Sequence, residues 1–323
     1  ATGEKSLEKE LSKVTKSILA KLELMDYVVM NTPEETWMDS IERKGSAVEI
    51  QALWTEALKT RKPKLSALMK KRINTVFWNK RAGFLYDAHS DMPISTLSAN
   101  VLVPVMFGQV RKDNAEKIMK KISSDFSTLY GVRTRSKKDK EYAPDGYHTG
   151  AVWGLTTGWA SAAYFSTGLV DEGLACLNDM AADLEKNCGA MTECRNADTG
   201  EIMGSPNMLW SHALFIHSMD SYFFGIKPHL PQKRLVIEPK IPDSWGYMYR
   251  EGKRIDNLVV DVHLDRVKNG VRAAVSFDKA PKGLTVELVL PAWVASVEHN
   301  KVKHKSNRIS FVAKKDNSVV GRI

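Results

Sequence analysis

Residues 36–58 read TWMDSIERKGSAVEIQALWTEAL, and the two ends of this stretch follow different rules. At the start, Trp37 stands two positions before Asp39, among Thr32, Pro33 and Ser40, residues that end or cap helices. That end reads as a loop. From about 47 to 60 the apolar residues recur at helical spacing, so the other end reads as a helix. A loop carrying an aromatic ring and an acid side by side has two readings. Asp39 either caps a helix, with Trp37 in the core, or it is the acid of a sugar-binding subsite with Trp37 as its wall.

Outward from this stretch, helical spacing dominates the first 225 residues. Leu7, Leu11, Val14, Ile18, Leu22 and Met25 form one amphipathic stripe. Further helices are expected at about 64–78, 96–109, 112–125, 150–167, 170–187 and 208–224, with Val170, Leu174, Leu177, Ala181 and Leu184 as a buried stripe. Pro63 and Gly168 mark breaks between neighbours. The connections 28–46, 79–95, 126–149 and 188–207 are long and rich in aromatic and carboxylate residues. They alternate with tight ones, which describes paired helices with a working face at one end.

After Gly225 the period changes. LVIEP, NLVVDVHLD, VRAAVSF, LTVELVLP and RISFVAK are β-branched runs separated by turn residues. The expectation is a helical domain over 1–226 and a small C-terminal β-sandwich over 227–323, joined at KPHLPQK. The first 225 residues balance in charge, so all of the net +9 comes from the β-rich part. No aromatic-interleaved basic motif accompanies it, so a solvated basic surface is expected and nucleic acid is not. No apolar run is long enough to span a membrane, and the start, ATGEKSLEKE, has no apolar signal core. Cys176, Cys188 and Cys194 suggest neither a disulfide framework nor a zinc site. A reduced, cytoplasmic protein without metal or cofactor is the default.

Two further loops hold candidate chemistry. Glu193 lies in NCGAMTECRNADTGE, where it is either a salt-bridge partner or the second member of an acid–base pair with Asp39. PDGYHTGAVWG, 144–154, gathers Tyr147, His148 and Trp153 around a helix start. Ring faces there would stack on sugar C–H groups while polar tips hold hydroxyls.

TWMDS followed by AVEIQALWTEAL resembles a motif of microbial and archaeal glycogen-debranching amylo-alpha-1,6-glucosidases. STLYGVRTRS, GYHTGAVW, GAMTEC and MLWSHA are similar to further motifs of that family, in the same order. The resemblance implies a mainly α fold, part of an (α/α)6 six-hairpin toroid related to glucoamylase-like and trehalase-like hydrolases. It implies inverting hydrolysis of alpha-1,6-glucosidic bonds, with Asp39 as general acid and Glu193 as general base. Trp37, Glu49, His148, Trp153 and Trp210 match positions lining the sugar site.

The chain departs from that pattern in three places. About eight of twelve toroid helices are expected, and an N-terminal Arg-Asp motif has no counterpart. The loop between Asp39 and Val48 is short, and LSANVLVP keeps Asn100 without the preceding Arg-Pro. Alternatives therefore stand beside the glucan reading: a hydrolase of trehalose or of a mannosyl or rhamnosyl compound, or a carbohydrate-binding or regulatory subunit. The expected partners are an oligo- or polysaccharide and a second polypeptide or copy that completes the toroid.

Overall fold

Eight α-helices lie among the residues that the computed structural model describes, 5–24 and 26–323. They are α1 (Lys5–Leu24), α2 (Val48–Leu58), α3 (Pro63–Thr75), α4 (Leu102–Met106), α5 (Lys112–Asp125), α6 (Gly154–Thr167), α7 (Val170–Lys186) and α8 (Leu209–His217). The chain divides into one compact unit of residues 9–218 and another of residues 219–323, to which residues 5–8 at the start of α1 also belong.

In the first unit α2 packs on α4, α4 on α6 and α6 on α8, while α3 lies against α2 and α7 against α6. Glycines permit the closest of these approaches. A Cβ on Gly158 would stand 2.5 Å from Leu214 Cβ, and one on Gly154 2.3 Å from Ser211 Oγ, so α8 lies directly on the α6 backbone. Eleven residues of α6 are buried, making it the centre of the unit. Its end is set by Gly168, left-handed at φ +85, whose N–H reaches back to Phe165. Leu58 and Met69 join α2 to α3, covered by Tyr27, Trp54 and Leu65.

The long connections are not wholly irregular. They carry short antiparallel pairs: β1 (Ser46–Ala47) with β4 (Ala88–His89), β2 (Trp78–Asn79) with β3 (Phe84–Leu85), and β5 (Ser127–Thr128) with β6 (Gly131–Val132). β7 (Val152–Trp153), β8 (Cys194–Arg195) and β9 (Ile202–Met203) form a three-stranded sheet. The second unit holds two sheets. One is four-stranded, built of β10 (Ile226–His229), β11 (Arg234–Ile237), β15 (Thr285–Val289) and β18 (Arg308–Val312). The other has the order β12 (Tyr247–Ile255), β13 (Leu258–Val267), β14 (Gly270–Phe277), β19 (Asp316–Arg322), β16 (Ser296–His299), β17 (Val302–His304).

The expected fold class is therefore corrected. With 35% helix and 27% strand the chain is a mixture of the two, not a mainly α partial toroid with a small appended sandwich. Two-residue strands are too short to show a period of two, which is why the loops hid them.

Two helix faces also differ from expectation. Leu7, Leu11 and Val14 of α1 are exposed, while Met25 and the side chains of Ile18 and Leu22 lie outside what the structure describes. In α7 the buried residues are Gly173, Cys176, Leu177 and Met180; Val170, Leu174, Ala181 and Leu184 are only partly covered. The face is rotated because Gly173 lets Phe165 approach to where a Cβ would stand, drawing that side of α7 onto α6. No helix among the described residues is long and apolar enough to cross a membrane.

α7 also carries a pH dependence. Asp179 borders a water-sized cavity shared with Asp183 and Arg195, and burial pushes its carboxyl up to about 6. The unfolded chain releases this proton near ~3.9. The contribution thus favours the folded state below about pH 4 and is lost as pH rises through about 6. Asp179→Asn is expected to stabilise by about 1 kcal/mol at about pH 8, after allowance for partial solvation, and by nothing at about pH 4. Melting temperatures of both proteins across this range check it.

Candidate active site

Four helices of the first unit begin at one place. Glu49 is the second residue of α2, Asn100 lies in the 3-10 turn leading into α4, Trp153 is the N-cap of α6 and Trp210 is the second residue of α8. These helix starts thus gather side chains that are far apart in sequence.

The loop bearing Trp37 and Asp39 closes over these starts. Asn31 ties its two ends: its backbone pairs with Gly45, its side chain donates to Arg43 O at 2.6 Å and accepts from Ala47 N at 2.9 Å. At the loop's tip the N–H of Ile41 donates to Met38 O, making a turn that presents Asp39 and Ser40 to solvent. Asp39 caps no helix: α2 begins nine residues later, after Ala47.

Trp37 is held edge-on by four rings, those of His148, Trp153, Trp159 and Trp210, at centroid distances of 5.3, 5.2, 5.6 and 6.4 Å. Edge-to-face contacts of this kind add about 0.5–1.5 kcal/mol each beyond area burial. Trp37 Nε1 donates to Asn100 Oδ1 at 2.8 Å. Asn100 in turn donates from Nδ2 to Asp87 Oδ1 at 2.8 Å, which fixes which way its amide faces.

Beneath the loop, Arg43 is 1% exposed and uses its whole guanidinium fork. It donates to both oxygens of Glu49, at 2.6 and 2.8 Å, to both of Asp87, at 3.0 and 2.7 Å, and to Thr36 Oγ1 at 3.1 Å. Burial disfavours its charge, yet Asp87 and Glu49 more than offset this and hold it above its ordinary value. Glu49, expected among the residues lining the sugar site, is also 1% exposed and fully engaged by Arg43. The structure places it under the site, supporting the loop.

Glu193 precedes β8, whose Cys194 pairs with Trp153, so the glutamate stands beside the tryptophan cluster. Its Oε1 accepts from Tyr147 Oη at 2.5 Å and its Oε2 from Ser205 N at 2.7 Å. Burial first, and then the Glu193 carboxylate, push the Tyr147 phenol well above its ordinary range, so it stays a donor. Trp153 Nε1 donates to Tyr147 O at 2.7 Å and fixes that residue's backbone. His148 is buried, stacks on Trp153 at 5.2 Å and shares a 2.7 Å hydrogen bond from Nδ1 with Ser40 Oγ, next to Asp39. Burial lowers its pKa against the pull of Asp39 and Glu193, leaving the ring neutral at about pH 7.

Both carboxylates act electrostatically on both Tyr147 and His148. The structure therefore brings Asp39, Glu193, Trp37, His148, Trp153 and Trp210 into one neighbourhood and sets Glu49 below it. Sequence reading missed Arg43, Asp87 and Trp159. Arg43 sits in the charge run Glu42-Arg43-Lys44, which looks like solvated surface, and nothing local distinguishes its burial. Next to His148 and Met38 opens a polar cavity of about 350 Å3, bordered also by Glu42, Ser95, Thr96 and Arg135. A hydroxylated group of moderate size fits there.

Gly204 guards the Glu193 position. It is left-handed at φ +67, and a Cβ on it would stand 2.3 Å from Glu193 Oε2. Gly204→Ala is expected to lower turnover at least about tenfold by displacing the carboxylate, at a stability cost of about 1 kcal/mol. Steady-state kinetics beside thermal unfolding checks both.

Residues 54–211 match the family model described as the mannosylglycerate hydrolase MGH1-like glycoside hydrolase domain. The matched residues lie within the first unit. Among solved structures, a sialidase is similar at 17% identity and a TM-score of 0.60, over 81% of this chain and 29% of that one. The GH63 mannosylglycerate hydrolase from Thermus thermophilus in complex with glucose is similar at 18% identity and a TM-score of 0.48, over 64% of this chain and 52% of that one. An uncharacterized conserved protein from the same organism gives 18% identity and a TM-score of 0.48, over 62% of this chain and 52% of that one. The chain spans about half the length of these Thermus proteins. No curated protein matches the sequence.

Proposed function

We propose that the first unit is the catalytic part of an inverting glycoside hydrolase, with Asp39 as general acid and Glu193 as general base. The observation that carries this reading is the Tyr147–His148 segment, which holds Glu193 through Tyr147 Oη and the Asp39 turn through Ser40, beside the indoles of Trp37 and Trp210 with Trp153 buried behind them. Tryptophan faces seat the C–H surfaces of a sugar ring. Asp39, exposed on its turn, protonates the leaving oxygen; Glu193, fixed by Tyr147 and Ser205 N–H, orients and deprotonates the attacking water. Neutral His148, held by Ser40, reads a hydroxyl without adding charge.

For the sugar, a mannosyl glycoside with a small polar leaving group is favoured over an alpha-1,6-glucan. The matched family is described by mannosylglycerate hydrolysis, and the chain lacks the Arg-Pro that precedes Asn in the debranching pattern. The polar cavity beside His148 suits such a leaving group. Leu53 of α2 and Leu209 and Ile216 of α8 leave apolar surface exposed, which favours association with a further polypeptide or a second copy. The test compares sugar release from mannosylglycerate, panose and isomaltose by the purified protein. Mannose release with kcat/KM at least tenfold above that for either glucan fragment is expected. Glucose release alone would assign the site to alpha-1,6-glucans instead.

A further inference from the structure

The second unit presents one surface with no role in this chemistry. We propose that the solvent face of β12 and β13 binds a neutral oligo- or polysaccharide chain, with Tyr247, Tyr249 and His263 as its ring contacts. The proposal does not depend on which glycosidic bond the first unit cleaves.

Strand register puts the three rings together. Tyr247 stands opposite Asp265 and Tyr249 opposite His263, while the intervening pair, Met248 and Leu264, is buried. Alternation along the strands therefore sends all three rings to the same outer face. Tyr247 and Tyr249 are 62% and 55% exposed. Their planes lie within 6° at a centroid distance of 6.0 Å, and the His263 ring follows Tyr249 at 5.8 Å and 22°. The row is edged by polar groups: Glu251 Oε1 lies 3.4 Å from His263 Nε2, and Arg272 of β14 stands opposite Asp265. The neighbouring positions on β14 and β19 are short, Ala274 opposite His263 and Ser318 opposite Ala274, leaving an open floor beside the rings.

A sugar chain fits this chemistry better than the other occupants of an exposed sheet face. Its C–H faces pack on aromatic rings, and its hydroxyl rim suits carboxylates and a guanidinium, which take and give paired hydrogen bonds. The centre of a protein interface is depleted in charge, whereas Glu251 and Asp265 sit among these rings. Those carboxylates also repel an anionic polymer, despite the basic balance of the chain. Strand addition by a second copy is opposed by the irregularity in β12 between Arg250 and Lys253, on the edge of the sheet.

Affinity electrophoresis of the whole chain in gels containing glycogen or a neutral α-mannan tests the proposal. Retardation by at least one is expected, with the dissociation constant raised about tenfold or more in the Tyr247→Ala, Tyr249→Ala double variant. Because both side chains are exposed, the variant keeps its unfolding transition. Its turnover of any small glycoside the parent cleaves stays unchanged, which separates this surface from the site in the first unit. Retardation by neither polymer, or equal retardation of parent and variant, overturns the proposal. So does a concentration-dependent dimer that the double variant abolishes. A parent that is retarded but cleaves nothing removes the catalytic reading and leaves this one standing.

Discussion

Asp39→Asn and Glu193→Gln are each expected to lower kcat by about 10²–10⁴-fold, the range over which a positioned acid or base accelerates a step. Neither substitution should unfold the protein. Asp39 is exposed on a turn with no hydrogen-bond partner to lose among those described, and such surface changes stay within about 0.5 kcal/mol. The glutamine at 193 still accepts from Ser205 N through its carbonyl and meets Tyr147 Oη with its amide, so the local hydrogen bonds persist. The two variants should differ in kind. Without the acid, a substrate with a good leaving group is still cleaved, because departure needs no proton. Without the base, no leaving group restores the rate. The pH profiles diverge likewise: loss of the acid removes the alkaline limb, and loss of the base removes the acid limb. Equal losses on good and poor leaving groups in both variants would contradict these assignments.

Arg43→Met is expected to cost about 3–5 kcal/mol of folding stability, the loss found when one member of a buried ionic group is removed. The carboxylates of Glu49 and Asp87, almost free of solvent, would be left facing one another without their shared cation. An exposed pair such as Lys59–Glu56 offers the contrast, since its removal costs under about 1 kcal/mol. Arg43→Lys keeps the charge but not the planar fork, so it should fall between the two. The same substitution reaches the site, because Asp87 also orients Asn100, and Asn100 holds the Trp37 indole. Urea unfolding monitored by tryptophan fluorescence reads the stability. A loss below about 1 kcal/mol for Arg43→Met would show that the loop is held by other means.

How far the sequence announces this structure depends on how local each signal is. α5 is found at 112–125 because four turns of amphipathic spacing are a local property, and α6 ends where Gly168 adopts the left-handed cap. The stripe of α1 shows the limit of such reading: spacing makes a helix amphipathic, but Leu7, Leu11 and Val14 are exposed because periodicity does not say what covers a face. The strands after Gly225 are legible because their β-branched runs are long enough to read, whereas the two-residue pairs in the long connections of the first unit have no period to read. At the site, Trp37 and Trp153 stand out as aromatic residues in loops or at a helix start. Arg43, Asp87 and Glu49 give no such sign. Their burial arises from a loop folding back over α2, with Asn31 tying its ends, a long-range arrangement that no short window of sequence records.

The central claim is that Asp39 and Glu193 form an inverting pair, and the anomer released first tests it most directly. Proton NMR of the initial turnover of an alpha-linked glycoside, begun before mutarotation blurs the signal, should show the β-sugar appearing first, with its appearance abolished in Asp39→Asn and Glu193→Gln. The α-sugar appearing first would mean a covalent intermediate and a double displacement, and would contradict the roles assigned to both residues.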